Sequence, residues 1–121
     1  MSKIVIIGAG AMGTAFSLPC LDNNNDINIV GTHLENDFIN SLKKNQNFHP
    51  GLNIKIPEQI NIFKFEKFDD LLKSNVDLIV LGISSKGIEW VADQLSRLFK
   101  GKTLPNLLML TKGLSIHKNN Y

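Results

Sequence analysis

Three glycines at fixed spacing are the residues of this sequence best suited to chemistry. They form the pattern Gly8-x-Gly10-x-x-Gly13, which follows an apolar run (residues 4–7) and precedes another (residues 14–21). The first run is rich in β-branched residues and predicts a strand buried on both faces, and the second predicts a helix. A glycine turn between a strand and a helix leaves the N–H groups of the helix N-terminus facing an anion. The pattern therefore predicts a site for the diphosphate of a dinucleotide.

Each glycine has a physical role in this interpretation. Gly8 permits a tight turn where a β-carbon would clash. Gly10 lets the backbone approach the diphosphate closely, and Gly13 lets the helix pack on the strand. The alternative is a glycine turn that binds nothing, and the preceding strand and the position near the N-terminus favour the binding site.

Composition places the chain among ordinary soluble proteins. Its 121 residues predict one domain, residues 1–121, and 43% of them are hydrophobic and 20% charged. The net charge of +2 comes from well-mixed residues and gives no reason to expect nucleic acid. Cys20 is the only cysteine, so we expect no internal disulfide and a small buried side chain. We also expect no membrane span and no signal peptide, and hence a cytoplasmic protein.

Strands and helices alternate along the predicted chain. The predicted strands are residues 4–7, 27–30, 60–65, 76–81 and 107–110, and the predicted helices are residues 11–21, 35–44, 68–73 and 86–99. Residues 45–53 are predicted as a loop. The alternation indicates an α/β fold of three layers, a Rossmann-type doubly wound parallel sheet.

Ligands of such sheets bind outside the carboxyl ends of the strands, beside the first strand. Three segments follow strand ends at that edge: Gly8 to Gly13, Gly82 to Ser85, and Thr111 to Gly113. Their convergence is the main sequence argument for a binding cleft.

The same segments carry a resemblance to a known family. Gly8 to Ala15, Val30 to His33, His49 to Leu52, Gly82 to Ser85 and Thr111 to Leu114 resemble, in this order, motifs of NAD(P)-dependent glycerol-3-phosphate dehydrogenases. The Thr-Lys-Gly-Leu sequence is the most specific of them, and the resemblance covers nearly the whole chain.

The resemblance implies hydride transfer between a nicotinamide and dihydroxyacetone phosphate, which gives sn-glycerol 3-phosphate. Lys112 would then lie beside both the nicotinamide and the phosphorylated three-carbon substrate, where a cation can stabilise charge on the carbonyl oxygen. The glycine pattern, the strand ends and the resemblance together give the expected cofactor contacts. They are Gly8, Gly10, Ala11, Met12, Gly13, Thr32, His33, Ser84 and Lys112.

The resemblance also implies that the catalytic acid/base lysine lies in a helical domain after this one. We therefore expect this chain to be the N-terminal part of a larger enzyme, with a possible homodimer formed through that domain. The chain alone should bind NAD(P)H without turning over substrate.

The choice between NAD and NADP stays open. Thr32 can hydrogen-bond either cofactor, and His33 could contact a 2′-phosphate or be an ordinary exposed histidine. Glu35 could contact the ribose hydroxyls or only open the second helix.

Other polar residues have structural interpretations. His49, His117 and Cys20 lack metal-ligand spacing, so we expect no metal. Ser84 or Ser85 is predicted to cap a helix. Trp90 lies beside the apolar stripe of its helix and is predicted to pack against other side chains, the alternative being that it stacks on a base.

Two alternative functions remain. A pyrroline-carboxylate or ketopantoate reductase would share the glycine pattern, although not the Thr-Lys-Gly-Leu sequence. A non-catalytic nucleotide-sensing domain would need no second domain.

Overall fold

A computed structural model describes residues 2–110 of the chain. Seven strands and four α-helices lie within them. The strands are β1 (Lys3–Ile7), β2 (Asp26–Val30), β3 (Phe48–His49), β4 (Ile54–Lys55), β5 (Asn61–Phe63), β6 (Leu78–Leu81) and β7 (Asn106–Met109), and the helices are α1 (Ala11–Asp22), α2 (Asn36–Lys44), α3 (Phe68–Leu72) and α4 (Ile88–Leu98). None of these helices has the length and apolar character needed to cross a membrane.

Five parallel strands form the main sheet, in the order β5-β2-β1-β6-β7. Ile6 of β1 is paired with Ile29 of β2 on one side and with Val80 of β6 on the other. The chain first builds outward from β1 to β2 and β5, and then crosses to β6 and β7. The order therefore reverses between β1 and β6, which confirms the predicted doubly wound sheet and puts its switch point beside Gly8.

Two apolar cores lie on opposite faces of the sheet, which gives the three predicted layers. On one face Ile4, Ile6 and Ile29 pack with residues of α2 such as Ile39, and α1 covers the same face through partly buried side chains. Cys20 is one of these half-buried side chains, and burial raises the pKa of its thiol. The core on the other face is built from β1, β2 and β6 against α3 and α4. Its buried members are Val5, Ile7, Val30, Phe68, Leu72, Ile79, Leu81, Ile83, Val91, Leu95 and Leu98.

The structure differs from the predicted elements in two places. Residues 45–53 were predicted as a loop, but Phe48 and His49 form β3, which pairs antiparallel with β4 so that His49 is opposite Ile54. The helix predicted from residue 86 begins at Ile88, because residues 85–87 form a 3₁₀ turn. Gly87 is the N-cap of α4, and neither Ser84 nor Ser85 caps it with a side chain, so the predicted serine cap is wrong.

The last described strand, β7, is poorly covered. Leu107, Leu108 and Met109 are all exposed, although their sequence reads as a buried strand. A groove of about 390 Å³ separates β7 from α4 and is lined mostly by apolar side chains, among them Val91 and Leu95. Within residues 2–110, only β6 pairs with β7.

Candidate functional site

The turn after β1 depends on glycine at position 8. Gly8 has a φ of +110°, and a β-carbon there would be 2.5 Å from the carbonyl oxygen of Gly82. Its N–H donates to the carbonyl of Val30 at 2.8 Å, which ties the turn to the end of β2. The clash predicted from the sequence at Gly8 is thus confirmed, and it comes from the end of β6.

Gly13 and Gly82 allow α1 to approach the sheet closely. A β-carbon on Gly13 would be 3.0 Å from Ile6 Cγ2 and 3.1 Å from the oxygen of Gly8. A β-carbon on Gly82 would be 2.8 Å from Gly13 Cα. The N-terminus of α1 therefore lies directly over the ends of β1 and β6.

The N-terminus of α1 has the properties of an anion site. Gly10 is its N-cap with extended backbone, no described side chain caps it, and its first turn has no acidic residue. The N–H groups of Ala11, Met12 and Gly13 lie in this first turn, where a helix supplies no acceptor. A β-carbon on Gly10 would meet nothing within 4 Å, so the space next to the turn is open. These groups fit a diphosphate, which would bring its own acceptors to them.

A cleft of about 510 Å³ opens from this turn at the carboxyl ends of β1, β2 and β6. Most of its wall comes from three segments: the glycine turn, the residues after β2 and the residues after β6. The lining residues are Gly10, Thr32, His33, Leu34, Glu35, Gly82, Ile83, Ser84, Lys86, Gly87 and Trp90. Of the expected cofactor contacts, Gly10, Thr32, His33 and Ser84 therefore share one cleft.

Glu35 connects the cleft to the glycine turn. The N–H of Ala9 donates to its carboxylate, 3.2 Å from each oxygen. The N–H of Thr32 donates to its Oε1 at 2.9 Å. Glu35 does precede α2 as predicted, but its carboxylate binds the backbone of the turn.

His49 approaches the same turn from the β3–β4 pair. Its side chain is buried, and Nε2 lies 3.0 Å from the carbonyl oxygen of Ala9. The N–H of Gly51 donates to Nδ1 at 3.1 Å. The ring of Phe38 packs edge-on against the imidazole, at 5.3 Å between ring centres.

His33 belongs to an aromatic cluster at the outer side of the cleft. Its ring centre is 4.7 Å from that of Trp90 and 6.0 Å from that of Phe65. Trp90 also packs against Phe65 and Phe68, at 5.5 and 5.8 Å. The packing role predicted for Trp90 is confirmed, and Trp90 also lines the cleft.

Lys112 lies outside the described residues. The strand that leads to it ends at the edge of the sheet where the cleft opens, because the N–H of Leu110 donates to the oxygen of Leu81, next to Gly82. Among residues 2–110, no group of three or more His, Cys, Asp or Glu side chains is arranged to hold a metal ion.

Comparison with known proteins identifies the family. The family described as "NAD-dependent glycerol-3-phosphate dehydrogenase N-terminus" matches residues 3–121. The chain belongs to this family. The glycerol-3-phosphate dehydrogenase resemblance read from the sequence is thus confirmed, in preference to the pyrroline-carboxylate and ketopantoate reductases.

Relatives in the glycerol-3-phosphate dehydrogenase family are considerably longer than this chain. The NADP(+)-dependent glycerol-3-phosphate dehydrogenase of Archaeoglobus fulgidus is 32% identical over 111 residues, which are 92% of this chain and 31% of the relative. The glycerol-3-phosphate dehydrogenase [NAD(P)+] of Oceanobacillus iheyensis is 28% identical over 117 residues, 94% of this chain and 31% of the relative. The chain therefore spans about a third of the length of these curated relatives.

A solved structure shows the same fold. The glycerol-3-phosphate dehydrogenase of Coxiella burnetii superposes with a TM-score of 0.73 at 20% identity, over 92% of this chain and 32% of that one. This likeness supports the parallel sheet and its flanking helices.

Sequence reasoning did not find the contacts that two side chains make with Ala9. Glu35 stands 22 residues after Gly13, near the spacing at which an acid follows the glycines in dinucleotide-binding folds, and this was its only signal. His49 begins a segment that resembles a family motif, but nothing in the sequence linked it to Ala9, because this contact spans 40 residues of sequence.

Proposed function

We propose that this chain binds NAD(H) or NADP(H) in the cleft beside Gly10, as the dinucleotide-binding part of a glycerol-3-phosphate dehydrogenase. The observation that carries the proposal is the uncapped N-terminus of α1, which opens onto a 510 Å³ cleft at the switch point of the sheet. Family membership supports the choice of ligand.

The residues of the cleft have separate roles in this proposal. The N–H groups of Ala11, Met12 and Gly13 bind the diphosphate, with Gly8 and Gly10 shaping the turn. Thr32 and His33, which follow β2, lie beside the adenosine. Ser84, which follows β6, lies along the path toward the nicotinamide. The bound nicotinamide supplies or accepts the hydride.

For the whole protein, we propose reversible hydride transfer between the nicotinamide and dihydroxyacetone phosphate or sn-glycerol 3-phosphate. Lys112 would bind the anionic substrate and stabilise the charge on its carbonyl oxygen. The group that donates and accepts the proton would come from a helical domain after this one, which would also carry any homodimer contact. We propose a cytoplasmic location for this reaction.

Calorimetric titration of the chain with NADH and with NADPH tests the proposal. We expect saturable binding of at least one of them, with one site per chain. If neither binds at millimolar concentration, the proposal is wrong.

A second assay distinguishes the proposed enzyme function from that of a nucleotide-sensing domain. We expect a protein of the relatives' length to reduce dihydroxyacetone phosphate with NADH or NADPH, and the 121-residue chain to show no turnover. Dinucleotide binding without reductase activity in the longer protein would favour the sensing role.

A further inference from the structure

The Ala9 peptide groups, between the first two glycines of the turn, are held from two sides. The Ala9 N–H donates to the carboxylate of Glu35, and the Ala9 carbonyl lies 3.0 Å from Nε2 of His49. Ala9 is only 1% exposed. Glu35 comes from the start of α2 and His49 from the β3–β4 pair, so two separate parts of the chain meet at one residue.

The hydrogen bonds of His49 define its tautomer. Nδ1 accepts the N–H of Gly51, so it carries no proton. The ring proton is therefore on Nε2, which donates to the carbonyl of Ala9. With 2% exposure and both nitrogens bonded, the imidazole has one orientation available to it.

The carboxylate of Glu35 accepts from two backbone donors. Oε1 accepts the N–H of Ala9 at 3.2 Å and the N–H of Thr32 at 2.9 Å. The side chain thus joins the glycine turn to the residues after β2. The Ala9 N–H also lies 3.2 Å from Oε2, so both carboxylate oxygens share it. An amide oxygen in the place of Oε1 can accept both N–H groups, whereas an amide nitrogen in the place of Oε2 would face the Ala9 N–H with another donor.

We propose that Glu35 and His49 are positioning residues, which hold Ala9 so that the glycine turn has its binding shape before the dinucleotide arrives. Flanked by two glycines, Ala9 lies in the most flexible kind of backbone, and ordering it during binding would weaken the affinity. Neither side chain needs to contact the cofactor. The inference rests on the proposed dinucleotide binding.

The role proposed for Glu35 differs from that of an acidic residue that binds the ribose. An acid that binds the free 2′-hydroxyl discriminates NADH from NADPH through its charge. A carboxylate that acts through backbone N–H groups affects both cofactors equally, and glutamine can replace it in part because its amide oxygen accepts both N–H groups.

Glu35→Ala and Glu35→Gln form the central test. Binding of NADH and NADPH is measured by calorimetry, and exchange of the Ala9 amide proton by NMR. We expect Glu35→Ala to weaken both cofactors about tenfold, in the range of a lost hydrogen bond to a charged group, and to speed Ala9 exchange. Glu35→Gln should lose less than Glu35→Ala on both measurements, because its amide oxygen still accepts both N–H groups.

His49→Phe tests the hydrogen bond to the carbonyl group of Ala9. Phenylalanine keeps a ring against Phe38 but leaves the Ala9 carbonyl without its donor, so we again expect about tenfold weaker binding of both cofactors. Asp37→Ala in the first turn of α2 and Lys55→Ala on β4 are exposed controls on the same two elements, and both should bind as the wild type does. If His49→Phe does not fold, the comparison of Glu35→Ala with Glu35→Gln still tests the proposal.

Four results would overturn the inference. If Glu35→Ala binds NADH and NADPH as tightly as the wild type does, the hydrogen bonds of Glu35 stabilise the fold and do not contribute to cofactor binding. Equal losses in Glu35→Ala and Glu35→Gln would show that charge acts, not hydrogen bonding. A changed NADH-to-NADPH ratio in Glu35→Gln would make Glu35 a ribose ligand. If the wild type binds neither cofactor, the proposed function fails first, and the contacts at Ala9 then serve the fold alone.

Discussion

The backbone of Gly82, the residue after β6, packs closely against the backbone of Gly13, in the first turn of α1. A β-carbon on Gly82 would be 2.8 Å from Gly13 Cα and 3.2 Å from Gly13 N. The obstructing atoms are backbone, so they cannot turn aside as a flexible side chain would. This contact sets the distance between the first turn of α1 and the end of β6, and hence the shape of the cleft.

Gly82→Ala is therefore expected to destabilise the fold. The added methyl group must push α1 away from the sheet, at a cost of about 1–3 kcal/mol in the free energy of unfolding. Urea unfolding followed by circular dichroism measures this loss. An unchanged unfolding midpoint would show that α1 can shift freely over β6.

Gly10→Ala, unlike Gly82→Ala, should leave the stability of the fold nearly unchanged and weaken NADH binding. Its β-carbon would enter open space, and its φ of −69° suits alanine, so we expect less than about 1 kcal/mol of change in stability. The methyl group would stand where the diphosphate approaches the backbone, so NADH binding should weaken at least about tenfold. Tight NADH binding by a well-folded Gly10→Ala protein would place the diphosphate elsewhere.

Trp90 is expected to report cofactor binding. It is the only tryptophan of the chain and it lines the cleft, where a bound reduced nicotinamide absorbs light that indole emits. We expect NADH to quench the tryptophan fluorescence in a saturable way, with the same Kd as calorimetry gives. Trp90→Phe, which keeps a ring against Phe65 and Phe68, should lose the signal while calorimetry still detects binding. Quenching that rises without saturation would point to simple light absorption by free NADH.

The main features of the fold could be predicted because their causes are local. Residues 4–7 form a buried β-branched run and residues 79–81 a buried aliphatic one, and such runs indicate central parallel strands by composition alone. The clash that requires glycine at position 8 follows from a tight turn after a strand.

The contacts at Ala9 could not be predicted, because they join distant parts of the chain. Glu35 is 26 residues from Ala9 and His49 is 40 residues away. The predicted serine cap failed for a different reason. A 3₁₀ turn at residues 85–87 delays the start of α4 by two residues, and shifts of this size at helix ends have no clear sequence signal.

The ion pair between Asp69 and Arg97 links α3 to α4 and should make stability depend on pH. Arg97 donates to both carboxylate oxygens, at 2.9 and 3.2 Å, and these bonds hold the pKa of Asp69 below its ordinary value of 3.8. A lowered pKa in the folded state stabilises the fold above the ordinary value, and this contribution disappears as the pH falls through the lowered value. The pair is 51% and 43% exposed, so solvent screening keeps its effect small.

Asp69→Asn should therefore lower the melting temperature slightly at pH 5 to 8, as measured by scanning calorimetry at several pH values. The difference from the wild type should shrink as the pH falls below 3.8. Asp70→Asn is the matched control, since it removes the same charge from the same turn of α3 and should change stability less at neutral pH. Equal effects of the two substitutions would show that the helix dipole, and not Arg97, is responsible.

The exposed strand β7 should make the 121-residue chain associate with itself. Its four residues carry no charge and no proline, and within residues 2–110 nothing pairs with its outer edge, so it lacks the usual protection against edge-to-edge pairing. We expect sedimentation velocity to show concentration-dependent association, and Leu107→Lys to reduce it by placing a charge in the pairing strand. Ile54→Lys changes a similarly exposed apolar residue on β4 and should leave association unchanged. A wild-type chain that stays monomeric at every concentration would mean that the outer edge of β7 is protected. Equal effects of Leu107→Lys and Ile54→Lys would show that net charge, and not the edge of β7, controls association.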